Sequence, residues 1–276
     1  MKKIIAAFDG LRFSKSTMQY AAHLAQLSDA HLVGVFLSEA TRLSYAVYAT
    51  IAKQSFTGKN IFDEIDRSDA VAIKESMDTF ESECRGLKIS YTLHRDKKNA
   101  IHELIHETVF ADLLVIDAWE TFSYLENRLP GWFIRNILHD AQCPVLVVPK
   151  KFQPVKKLIF LYNGTPSAVH AIKMFNYIFP EMNTLEAELL CAKEDNLHLP
   201  DNKLLKEWTK SHYNNLEYKV MKGKEREIVT ILTNEDPGSL VIAGAYDRSY
   251  LSMWFHESLA DLLLRETRVP IFIAHT

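Results

Sequence analysis

Cysteine is scarce in this sequence, and Cys84, Cys143 and Cys191 lie far apart. That spacing excludes a disulfide framework and a zinc knuckle. No apolar run approaches the roughly 18–20 residues of a membrane span. The five apolar residues at 4–8 are too few for the core of a signal peptide. We therefore expect a cytoplasmic protein with reduced cysteines and no membrane partner.

Glycine and proline are also few, at nine residues each, and neither sign of charge dominates, since the net charge is -3. The 47% of hydrophobic residues is typical of a globular chain. The balanced charge gives no general attraction to nucleic acid. The sequence has no Gly-x-Ser-x-Gly elbow, Walker A loop or cysteine pair. Neither nucleophilic catalysis nor NTPase chemistry therefore has motif support, and we expect no enzymatic activity.

The sequence contains an internal repeat. A shift of 126 residues superposes 114–116 on 240–242, and a shift of 154 residues superposes 2–10 on 156–164. The second half is therefore 28 residues shorter, and we place the missing residues after its second strand. Two domains follow from the repeat, residues 1–150 and residues 155–276.

Short apolar runs alternate with helical runs in each half. The runs at 4–8, 113–116, 145–148 and 271–274 are almost continuously apolar, which indicates strands buried on both faces of a parallel sheet. Ser14 is placed to cap the first helix. The alternation of strands and helices predicts an α/β fold with right-handed crossovers and helices on both faces of each sheet.

Three segments carry a resemblance to a known family. They are K-I-I-A-A-F-D-G at 3–10, A-D-L-L-V-I at 111–116 and H-D-A-Q-C-P-V-L-V-V-P at 139–149. With the repeat, the chain resembles two tandem universal stress protein domains. The resemblance implies two five-stranded parallel sheets of strand order 3-2-1-4-5. It also implies that the fifth strands of the two domains pair edge to edge, here 145–148 with 271–274, as an intramolecular pseudo-dimer that could form a further homodimer.

Nucleotide-binding members of that family carry Gly-x-x-Gly, nine residues, and then Gly-Ser or Gly-Thr. Glycines let backbone N–H groups approach phosphates, and a helix N-terminus favours the anion. The four corresponding residues are Ala118, Thr121, Gly131 and Trp132 in the first half, and Gly244, Asp247, Glu257 and Ser258 in the second. The resemblance also places a strand-end carboxylate beside adenine, which is Asp9 in the first half and Asn163 in the second. The nucleotide positions that the resemblance implies are therefore Asp9, Gly131, Asn163, Gly244, Asp247 and Ser258.

Both of these sites are degenerate. In the first, an indole replaces the hydroxyl, and in the second, two carboxylates stand where glycines would face phosphate. We predict a non-catalytic stress-response or regulatory protein that binds an unknown protein or small molecule, without a cofactor. The alternative is an ATP- or AMP-binding protein, or a slow ATPase, that uses the second site. Under the first prediction the aromatic residues Trp119, Trp132, Tyr246 and Trp254 fill the vestigial pockets.

The segment His102–His106 matches H-E-x-x-H, in which two histidines one helical turn apart can bind zinc beside a glutamate base. Ile101, Leu104, Ile105 and Val109 form an apolar helical face, which places the histidines at its margin. The sequence has no third ligand at a diagnostic spacing. We therefore predict a structural helix and no metal site.

Overall fold

A computed structural model describes residues 2–37, 59–96, 100–119, 131–194, 197–245 and 259–274. The chain forms two compact units, Met1–Gln142 and Cys143–Thr276. The division falls before the fifth strand, whereas the repeat predicted it after residue 150. Residues 38–58 lie outside the described residues, and a helix begins at Lys59.

The first unit is built on four parallel strands in the order β3-β2-β1-β4. The strands are β1 (Lys3–Asp9), β2 (His31–Leu37), β3 (Tyr91–Asp96) and β4 (Leu113–Asp117). The helices are α1 (Lys15–Ser28), α2 (Lys59–Gly86), α3 (Ala100–Thr108) and α4 (Trp132–Asp140). Residues 4–9 of β1 are buried, as the continuous apolar run predicted.

Aromatic packing closes the core of this unit between β1, β2 and α2. Phe8 stacks on Phe36, with ring centroids 5.0 Å apart, and the edge of Phe80 meets both rings. Gly34 makes room for Phe80, because a Cβ there would lie 2.9 Å from the ring. The side chain of Ser14 accepts the N–H of Thr17, so the predicted cap of α1 is confirmed.

The second unit has six strands in the order β5-β10-β9-β6-β7-β8. The strands are β5 (Val145–Val148), β6 (Lys157–Leu161), β7 (Glu186–Lys193), β8 (Leu216–Lys222), β9 (Ser239–Gly244) and β10 (Ile271–Ala274). The helices are α5 (Pro166–Ile178), α6 (Asn202–Lys210), α7 (Glu225–Leu232) and α8 (Leu259–Glu266). Counted from β6, the parallel strands have the predicted order 3-2-1-4-5.

The fifth strand of the first repeat packs in the second unit. β5 pairs antiparallel with β10, where Val145 lies opposite Ile273 and Val147 opposite Ile271. All residues of both strands are buried, so pairing hides two apolar edges that would otherwise promote association. The predicted pairing of these two strands is confirmed, and it explains why the compact units divide at Cys143.

Across the six described ranges, no helix is both long and apolar enough to cross a membrane. The three cysteines are buried, and none of them forms a disulfide.

Candidate functional site

In open α/β sheets the ligand crevice lies at the carboxyl ends of the central strands, and we use the word crevice for that end of each sheet. β1 lies between β2 and β4, and β6 lies between β7 and β9. The chain therefore adds strands on one side of β1 and then on the other, and it does the same at β6. Such a position is a topological switch point, where ligands of open α/β sheets bind. The ends of β1 and β6 carry the predicted site residues Asp9 and Asn163.

In the first crevice, Asp9 is 1% exposed and shapes the loop that follows β1. Its Oδ1 accepts the N–H of Leu11 at 3.0 Å, and its carbonyl accepts the N–H of Arg12 at 2.9 Å. Phe13 stacks on Phe8, with centroids 4.9 Å apart. Asp9 therefore has a structural role in this turn, because its carboxylate satisfies a backbone donor.

Asp117, the last residue of β4, brings a second carboxylate to this crevice. Its Oδ2 accepts the hydroxyl of Ser14 at 2.8 Å, and its Oδ1 accepts the N–H of Trp119 at 2.8 Å. Ser14 thereby joins the start of α1 to the end of β4. Sequence reasoning placed Ser14 only as a cap and missed Asp117, which stands one residue before the first predicted glycine position.

We expect Ser14→Ala to lower the free energy of unfolding by about 1–2 kcal/mol, since it removes a helix cap and a hydrogen bond to a carboxylate. Urea unfolding followed by circular dichroism measures the loss. Thr165→Ala is the matched control, because Thr165 caps α5 without contacting a carboxylate. A smaller loss for Ser14→Ala than for Thr165→Ala would contradict the proposed bridge.

The predicted phosphate positions of the first unit lie at the start of α4. Gly131 is the N-cap residue, with φ -66° and ψ 165°, and it has no side chain to cap the helix. Trp132 is 53% exposed and Trp119 is 49% exposed. About half of each indole is therefore open to solvent, and the filling of the first crevice by these side chains stays a prediction. Thr121, Tyr246 and Trp254 lie outside the described residues.

In the second crevice, the chain itself covers the end of β6. Gly164 has φ +91°, and a Cβ built there would lie 2.8 Å from Cβ and 3.1 Å from Cγ of Pro200. Tyr162, which is 2% exposed, donates its hydroxyl to the carbonyl of Pro200 at 3.2 Å. Burial raises the pKa of the Tyr162 hydroxyl, and the charge of Asp201 adds to this. The hydroxyl therefore stays protonated near neutral pH and holds Pro200 over Gly164.

The two units differ in the loop that follows the first strand. Asn163 is exposed, and its Oδ1 accepts the N–H of Thr165 at 3.1 Å and the hydroxyl of Thr165 at 2.8 Å. The N-cap residue Thr165 follows Gly164 directly, whereas three residues separate Gly10 from Ser14. The second loop is therefore three residues shorter than the first.

This short loop brings the first turn of α5 onto Gly244 at the end of β9. A Cβ at Gly244 would lie 2.6 Å from the carbonyl carbon of Ser167 and 2.7 Å from the nitrogen of Ala168. Ser167 donates its hydroxyl to the carbonyl of Ala245 at 2.5 Å. Packing alone thus requires glycine at 244. Asp247, Glu257 and Ser258 lie outside the described residues.

The H-E-x-x-H helix is α3. Leu104 is fully buried, while His102 and His106 are exposed and the His106 ring meets Phe110. Val109, predicted on the packed face, is 54% exposed because α3 ends at Thr108. Within the described ranges, no group of three or more His, Cys, Asp or Glu side chains could hold a metal ion.

Comparisons with known proteins agree with this geometry. The model of the Universal stress protein family matches residues 1–149. A universal stress protein from Archaeoglobus fulgidus has a TM-score of 0.69 at 13% identity, over 99% of this chain and 96% of that chain. For a Pseudomonas aeruginosa protein assigned to the universal stress proteins, the TM-score is 0.58 at 13% identity, over 100% and 93%.

The cytoplasmic domain of a prokaryotic cation chloride cotransporter has a TM-score of 0.51 at 10% identity, over 99% of this chain and 94% of that chain. At these identities the likeness to solved structures shows the fold alone. No curated protein sequence matches the chain.

Proposed function

Since the chain belongs to the universal stress protein family, we propose that it is a regulatory binding protein of the stress response. It consists of two tandem domains and does not hydrolyse nucleotide. It works in the cytoplasm, where its three buried thiols stay reduced. Both nucleotide crevices are degenerate, and the protein acts through a partner instead of through chemistry.

The contact of Pro200 with Gly164 carries this proposal. Adenine would have to lie against the end of β6, beside Asn163, at the switch point of the second sheet. Pro200 lies 2.8 Å from the position that a Cβ of residue 164 would take, and Tyr162 holds its carbonyl. Ser167 bridges the neighbouring ends of α5 and β9. A nucleotide would have to displace both contacts.

In the first crevice, charge supports the same conclusion. Asp117 and Asp9 are the terminal residues of adjacent strands, so a phosphate near this edge would meet like charge. One carboxylate at about 4 Å from a phosphate costs about 1–4 kcal/mol, depending on the effective dielectric. Ser14 already donates its hydroxyl to Asp117 and is not available to a phosphate.

The alternative of ATP binding in the second half depended on Gly244 and Ser258. The close approach of α5 accounts for Gly244 without a ligand. The alternative therefore depends on Ser258 alone, and we do not adopt it.

Titration of Mg-ATP into the whole protein by calorimetry tests the proposal. We expect no binding tighter than about 1 mM, near -4 kcal/mol, because Pro200 covers one crevice and Asp117 repels phosphate in the other. A P-loop ATPase in the same buffer is the positive control. A micromolar dissociation constant at either crevice would contradict the proposal.

A further inference from the structure

Positive charge is concentrated in one part of the second unit. Residues 203–224 contain six lysines and two glutamates, although the whole chain has a net charge of -3. This stretch includes α6, β8 and the turn that leads to α7. Such an asymmetry in a near-neutral protein indicates a surface for an anionic partner.

β8 is the terminal strand of the second unit, and no described strand pairs with its outer edge. Its seven residues, L-E-Y-K-V-M-K, alternate between exposed and half-buried positions over most of their length. The strand contains no proline, so it offers a regular row of backbone donors and acceptors along that edge. An exposed edge of this length is a template for strand addition.

Lysines flank this edge on both faces of the sheet, because successive side chains of a strand alternate between faces. Lys219 is 54% exposed, and its Nζ lies 2.9 Å from Oε2 of the buried Glu188. Lys222 is exposed on the opposite face, where the Nζ of Lys206 lies 5.1 Å from the centroid of the Tyr218 ring. Glu217 of β8 is also exposed, with its Oε2 3.8 Å from Nζ of Lys219, and Nζ of Lys224 lies 3.5 Å from Oε1 of the exposed Glu194.

We propose that the outer edge of β8 binds an extended acidic segment of a partner protein by strand addition. This inference rests on the proposed function, since it identifies the surface through which a binding protein without nucleotide chemistry engages its partner. Backbone hydrogen bonds along β8 align the segment, and its carboxylates face Lys219, Lys222 and Lys224.

The same lysines disfavour other occupants. A second copy of β8 would bring lysines of the two strands close together, and like charges across a strand pair are destabilising. A nucleic acid would match the charge and leave the backbone groups of the edge unpaired. An acidic extended peptide both places carboxylates near the lysines and forms hydrogen bonds with the backbone groups of the edge.

The test uses a short capped peptide that alternates glutamate with valine, titrated into the whole protein. We expect saturable binding that weakens as salt is raised, and slowed hydrogen exchange of backbone amides within 216–222 when the peptide is present. The same peptide with methylated backbone nitrogens should bind at least tenfold more weakly, because it cannot donate to the edge. Equal binding of the methylated peptide, or no binding of either, overturns the proposal.

Charge reversal at Lys222 and Lys224 supplies the second arm. Lys224 loses only a solvent-exposed ion pair with Glu194, whereas Lys219 is left in place because it pairs with the buried Glu188. The variant Lys222→Glu with Lys224→Glu should weaken the peptide at least tenfold. The control Lys15→Glu with Lys74→Glu makes the same change of net charge on exposed lysines of the first unit and should change binding less than twofold. Equal weakening in both variants, or tighter binding of single-stranded oligothymidylate than of the peptide, overturns the proposal. Neither result depends on whether Mg-ATP binds.

Discussion

Gly244→Ala is expected to lower the free energy of unfolding by about 3 kcal/mol or more. The added Cβ would lie 2.6–2.7 Å from three backbone atoms of Ser167 and Ala168. These atoms belong to the first turn of α5, so no side-chain rotation can relieve the contact. Overpacking costs about 1–3 kcal/mol where neighbours can shift, and here the helix itself must move away from β9. Urea unfolding followed by circular dichroism measures the loss.

Gly86→Ala is the matched control for this substitution. No atom lies within 4 Å of a Cβ built at Gly86, the last residue of α2. We expect the stability to stay level or to rise by up to about 1 kcal/mol. If Gly244→Ala also left the stability unchanged, α5 would not pack on Gly244, and the glycine would again require a ligand to explain it.

Gly164→Ala is expected to cost about 3 kcal/mol, because two effects act together. An alanine at φ +91° costs about 1–2 kcal/mol in the backbone, and its Cβ collides with Pro200. In a Pro200→Gly background only the backbone cost remains, so the same substitution should cost about 1–2 kcal/mol. Urea unfolding of the four proteins of this double-mutant cycle gives the coupling energy.

The first unit offers a comparison for the cycle. A Cβ at Gly10 would lie 2.7 Å from Cγ1 of Ile73 and 3.1 Å from the carbonyl oxygen of Leu37, but Gly10, unlike Gly164, does not have a positive φ. Gly10→Ala should therefore cost less than Gly164→Ala. If the Gly164 and Pro200 substitutions were additive within about 0.5 kcal/mol, Pro200 would not cover the end of β6.

Strands were the most predictable elements of this fold. The predicted bounds of β5 and β10 agree with the structure residue for residue, because each is a short apolar run bounded by prolines or polar residues. The repeat predicted that these strands are equivalent, and the family resemblance predicted that they pair. A strand that is buried on both faces is a continuous apolar run, which can be recognised from the sequence alone.

The closure of the crevices could not be predicted in the same way. Pro200 follows Gly164 by 36 residues, and no local pattern indicates that it returns to the end of β6. The repeat also did not indicate that the loop before α5 is three residues shorter than the loop before α1, because the two halves match only as far as Gly10 and Gly164. The packing of α5 on Gly244 depends on that loop. From the sequence, Gly244 therefore looked like a retained nucleotide-site glycine, whereas in the structure it makes room for the first turn of α5.

The identity of small molecules that copurify with the whole protein tests the central claim most directly. The chain is purified without added nucleotide and denatured by heat, and the supernatant is analysed by its absorbance and by mass spectrometry. We expect no adenine nucleotide at a level comparable with the protein, because Pro200 packs against Gly164 at the end of β6 and Asp117 opposes phosphate in the first crevice. Release of ATP or AMP in a stoichiometric amount would contradict the account.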